Sequence, residues 1–123
     1  MALLVEKLIE HGYGVYLTDC RKYFVYDHKE SAEYSKEKKS IYKAILQKEI
    51  GIVNPQRIVA VGNEAYDYCH ELIGDDVRLL HVPHISGLAA KKQKIFFELD
   101  ENKKTTIEEL VERYAKYIIS EGK

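Results

Sequence analysis

The residues best suited to chemistry sit in Val82-Pro83-His84-Ile85-Ser86-Gly87-Leu88. Pro83 restricts the backbone at His84 to an extended turn. Ser86-Gly87 then opens a helical pattern. Exposed backbone N–H groups and a serine hydroxyl at a helix start make an anion site. Lys91, Lys92 and Lys94 follow within two turns. A histidine beside such a pocket can donate a hydrogen bond to a carbonyl that gains negative charge. The competing reading is a capped helix with solvated lysines and a histidine bonded to backbone.

Two other segments end in polar groups. Val15-Tyr16-Leu17 leads into Thr18, Asp19 and, slightly further on, Lys22. Ile58-Val59-Ala60-Val61 leads into Gly62, Asn63 and Glu64. His81 and His84 have a His-x-x-His spacing, but a metal needs a third and fourth ligand, and no metal site is expected. Cys20 lies near a strand end and can be a nucleophile, yet the sequence assigns it no basic partner. Gly12-Tyr13-Gly14 precedes a strand and lacks the third glycine of a dinucleotide fingerprint. Tyr13, Tyr16, Tyr23 and Tyr26 gather around the first strand end. Aromatics beside basic residues can stack on bases, though half-buried packing is the commoner use of tyrosine.

These groups need elements to position them. Leu3, Leu4, Leu8 and His11 fall near helical spacing before Gly12, which predicts a helix over 2–11. The β-branched and aromatic content of 14–19 predicts a strand. Residues 23–26 fit an extended piece or a buried turn. Residues 28–50 carry a narrow stripe of Ile41, Ile45 and Leu46, a helix stopped by Gly51. Residues 57–62 form an apolar run typical of a strand buried on both faces. Asn63 can cap a helix over 64–73 that Gly74 closes. A third strand is expected over 77–82, a helix over 88–98 and a polar turn over 100–104. Thr105 or Thr106 with Glu108 or Glu109 has the capping-box pattern of a last helix over 106–120. This alternation predicts a three-layer α/β/α domain with a short parallel sheet of about three strands. Its candidate residues then share one end, because ligands collect at strand C-termini.

Composition sets limits. The 123 residues are the length of one domain, long enough to bury a core without a metal or disulfide staple. A net charge of -1 excludes a strongly basic coat. Residues 63–76 carry a net -5 and 88–104 a net +2, so a basic face beside an acidic flank is possible. Cys20 and Cys69, 49 positions apart, fit reduced thiols in a cytoplasmic protein better than a disulfide framework. No targeting signal or membrane-spanning run is present, and no membrane partner is expected.

Residues 82–88 resemble the second active-site motif of the uracil-DNA glycosylase superfamily. Pro55–Ala65 is similar to the strand and helix that precede it there. Residues 15–22 are similar to the family strand that ends in Thr-Asn and is followed by Lys. The likeness runs over about residues 5–95, in the family's order. It implies that His84 stabilises charge on the base's carbonyl oxygen as the glycosidic bond breaks. It implies phosphate contacts for Ser86 and Gly87 and an apolar wedge role for Leu88. Asp19 stands where the family has a base-reading Asn. An ionised carboxylate only accepts hydrogen bonds, which suits an exocyclic amine better than uracil O4. Ile85 replaces a proline, and nothing before residue 13 resembles the first motif, which carries the water-activating residue on a central strand.

The resemblance therefore implies a single truncated glycosylase-like domain over 1–123, its sheet compacted to three strands or completed in a homodimer. The leading expectation is a protein that binds DNA or a nucleobase through Asn63, Ser86, Gly87, Leu88 and Lys22. If it is active, it hydrolyses an N-glycosidic bond in base-excision repair with His84 and Asp19 as catalytic groups and no cofactor. A catalytically silent binding or regulatory module is the alternative. An unrelated small α/β interaction domain is the third reading.

Overall fold

The structure is a computed structural model. It describes the backbone of residues 1–20, 28–85, 90–100 and 102–121, and their side chains except 28–39 and 121. The elements run α1 (Ala2–Glu10), α2 (His28–Val53), β1 (Ile58–Val61), α3 (Asn63–Ile73), β2 (Leu79–Val82), α4 (Ala90–Phe96) and α5 (Ile107–Glu121). The α/β class and the layering follow the sequence pattern.

The centre is a β1–α3–β2 unit. β1 and β2 pair in parallel, with Ile58 opposite Leu79 and Val61 opposite Val82. Alternation along the strands splits the core in two. Val59, Val61 and Val82 face Leu4 of α1 and Val111, Tyr114, Ala115 and Ile118 of α5. Ile58, Ala60 and Leu79 face Leu46 of α2 and Cys69 of α3. Apart from His81 the strands are apolar, because helices cover both faces.

The strand expected over 14–19 does not form. Among the described residues the sheet has two strands, and residues 14–19 join neither. Side chains anchor this segment instead of a ladder. Tyr16 and Thr18 donate hydrogen bonds to Glu49 Oε2 of α2, at 2.8 and 2.7 Å. The Arg57 guanidinium lies 5.3 Å from the centre of the Tyr13 ring. Tyr16 and Leu17 stay 58% and 65% exposed, so the apolar content that predicted a strand buys no burial here.

Two helix boundaries also shift. α2 runs through Gly51 to Val53 and stops at Asn54, whose φ of 46° is left-handed. Asn tolerates that conformation, and Pro55 behind it cannot continue a helix. Asn63 is the first helical residue of α3 and not its cap. Gly62 holds the cap position, with no side-chain hydrogen bond there. At the other end Gly74 closes α3 as expected, its N–H bonded to the His70 carbonyl. The polar turn after α4 forms around Asp100, whose carboxylate accepts the Asn102 N–H at 2.9 Å. Thr106 Oγ1 accepts the Glu109 N–H at 3.2 Å, the cap its spacing predicted for α5.

Candidate functional site at the strand ends

β1 and β2 end side by side, and their exits form the candidate site. β1 passes into α3 through Gly62 at φ 90° and ψ 166°, a conformation open almost only to glycine. The same residue receives the imidazole of His84. A Cβ at position 62 would lie 2.5 Å from His84 Cδ2 and 2.8 Å from Nε2. The ring thus rests on the bare glycine, beside the first N–H groups of α3, while His84 as a whole is exposed.

Buried groups fix the backbone beneath that ring. Tyr114 of α5 is wholly buried, and its hydroxyl donates to the carbonyl oxygens of Pro83 and His84, at 2.7 and 3.1 Å. Gln93 of α4, 4% exposed, also donates its amide to the His84 carbonyl. Burial pushes the Tyr114 hydroxyl up to about 12, so it remains a proton donor across the neutral range. Edge-on contacts to Phe97, with centroids 4.9 Å apart, hold the Tyr114 ring. The result is a locked main chain carrying an imidazole open to solvent.

Of the residues nominated from sequence, the structure brings His84 and Asn63 to one mouth. Asn63 is exposed at the start of α3. Asp19 is exposed and reaches this end through its neighbour Cys20, whose Sγ lies 4.0 Å from the carbonyl oxygen of Ala65 in the first turns of α3. Ser86, Gly87, Leu88 and Lys22 lie outside the described residues, as do Tyr23 and Tyr26. His81 does not join His84. Its ring stacks on Tyr66 of α3, with centroids 4.3 Å apart and planes 12° apart. Among the described residues no three His, Cys, Asp or Glu side chains gather as metal ligands. Tyr13 and Tyr16 take packing and tethering roles.

Sequence reasoning missed Tyr114 and Gln93. Tyr114 falls in the α5 stripe with Val111, Ala115 and Ile118, and a hydroxyl in an apolar stripe needs a buried acceptor. That signal was present. Gln93 carried none, since it sits among three lysines that all face outward or partly so.

A family model described as the uracil DNA glycosylase superfamily matches residues 2–112. The chain belongs to the uracil DNA glycosylase superfamily. The match covers the β1–α3–β2 unit, the loop of His84 and the Asp19 segment. It removes the reading as an unrelated interaction domain. No curated protein and no solved structure matches the chain. Among the described residues, no helix is long and apolar enough to cross a membrane.

Proposed function

We propose that this superfamily member binds DNA, or a nucleobase extruded from it, across the strand C-terminal ends. His84 is the group that meets the base. The observation that carries this reading is the exposed imidazole resting on Gly62 above a main chain pinned by Tyr114 and Gln93. Hydrolysis of an N-glycosidic bond sends the bonding pair of C1′–N onto the base, and negative charge collects on a carbonyl oxygen. An imidazole N–H held at a fixed site stabilises that charge without reorganising. Water adds to C1′ and loses its proton. Asp19 is the carboxylate nominated to receive it. Ser86 and Gly87 are the residues nominated for phosphate contacts.

A second reading is a silent binding module on the same scaffold. The exposure of Asp19 favours it, because an activating base works best desolvated against its water. Oligonucleotides carrying uracil, hypoxanthine or a mismatch separate the two. Cleavage lost in His84→Ala supports the hydrolase, acting in base-excision repair. Retardation of DNA that weakens as salt rises, without cleavage, supports the binding module. Neither cleavage nor retardation would overturn both.

A further inference from the structure

Cys20 and Cys69 are 49 positions apart in sequence but meet against α3. Cys69 belongs to the buried cluster with Leu46 and Ala60, and Cys20 packs onto it. Cys20 Sγ also approaches the Ala65 carbonyl, one helical turn before Cys69. Both side chains thus pack in one cluster, and no disulfide joins them in this structure. Two thiols packed in one cluster, on segments far apart in sequence, are placed for a reaction with each other.

We propose that Cys20 and Cys69 form a reversible dithiol–disulfide site that a hydroperoxide oxidises, fastening the segment that carries Asp19 to α3. Cys20 is partly exposed and Cys69 only 5% exposed, so the oxidant meets Cys20 first. The neighbouring Cys20 side chain and burial push the Cys69 thiol up. The Cys20 thiolate attacks one peroxide oxygen. The O–O bond breaks, hydroxide leaves and takes a proton as water, and Cys20 becomes a sulfenic acid. Cys69 sulfur then attacks the Cys20 sulfur. The S–S bond forms, the S–O bond breaks, and the Cys69 proton departs with the hydroxyl as a second water. Two thiols and hydrogen peroxide thus give one disulfide and two waters. A small dithiol reverses the step by exchange.

The consequence lies with Asp19. Its segment is held by tethers from Tyr16 and Thr18 to the half-buried carboxylate of Glu49. A covalent link at Cys20 would fix the neighbouring Asp19 at the strand ends in the oxidised protein and release it in the reduced one.

The test treats the full chain with equimolar hydrogen peroxide, alkylates remaining thiols and measures intact mass and a non-reducing peptide map. The expected result is a monomer lighter by about 2 Da, with neither cysteine alkylated and a linked Cys20–Cys69 peptide that dithiothreitol releases. Cys20→Ser and Cys69→Ser should each abolish the linked species. Two alkylatable cysteines after peroxide would overturn the proposal. So would sulfinic acid or intermolecular disulfides in place of the link. The wild-type map decides the matter even if a variant folds poorly, and it does not depend on whether the chain cleaves DNA.

Discussion

Gly62→Ala should damage the fold and the candidate site by separable amounts. The backbone at position 62 sits at φ 90° and ψ 166°. An L-residue held in that region costs about 1–3 kcal/mol. The new methyl would also stand 2.5 Å from His84 Cδ2, well inside van der Waals contact. The imidazole is an exposed side-chain end and can swing away. Leaving a good rotamer costs about 0.5–1.5 kcal/mol. The sum is about 1.5–4.5 kcal/mol, a fall in Tm on the order of 5–15 °C for a chain of this size. Thermal and urea unfolding measure it. A double-mutant cycle with His84→Ala separates the parts. Removing the ring should return the clash component and leave the backbone component. His84 ring resonances should shift in Gly62→Ala, and DNA retardation or base release should fall as His84 leaves its seat. Wild-type stability together with unmoved His84 resonances would refute the reasoning.

Three further outcomes follow from the same geometry. Tyr114→Phe strips the donor from the Pro83 carbonyl and should cost about 1–3 kcal/mol. It should also weaken any His84-dependent binding or cleavage, whereas an effect on stability alone would deny Tyr114 its role beneath the loop. Arg78 hydrogen-bonds the Asp76 carboxylate through its side chain and its N–H, and holds that carboxyl at about 2. A carboxyl lowered on folding stabilises the fold above its unfolded pKa of about 3.9 and loses that contribution as pH falls toward about 2. Asp76→Asn should therefore flatten the stability curve between about pH 4 and pH 2, and an unchanged slope in acid titration would contradict the pairing. Thr106→Ala should cost about 1 kcal/mol by uncapping α5, with Thr106→Ser close to wild type in thermal unfolding.

What could be read in advance was local. Helix ends written in Gly12, Gly74 and Thr106 survive, because each depends on a turn of a few residues. The apolar run 57–62 yields β1, since such a run has no stable place except between two layers. The segment 14–19 was misread because strand propensity reports fit to a pleated surface, and no neighbour among the described residues offers one. Gly51 was misread as a stop, although the helix continues until Asn54 and Pro55 make continuation impossible. The seating of His84 on Gly62 and the meeting of Cys20 with Cys69 join residues 22 and 49 positions apart. No local pattern encodes such contacts.

The two candidate catalytic groups are held in different ways, and this bears on which chemistry survives. His84 stands on a main chain whose two carbonyls are bonded to a wholly buried tyrosine and a buried glutamine. Moving that main chain would mean breaking part-buried hydrogen bonds, where an orphaned partner costs about 1–3 kcal/mol. Asp19 rides on an exposed segment whose tethers are surface hydrogen bonds to one carboxylate. Those bonds exchange readily with water. A group that stabilises charge must be preorganised, and the main chain that carries His84 is. A group that activates water must be held against it as well, and a further restraint near Asp19 is partly buried. That restraint is the packing of Cys20 against the cluster of Leu46, Ala60 and Cys69. If base release is observed, it should therefore respond to the thiol state at Cys20, while binding of the leaving base through His84 should not.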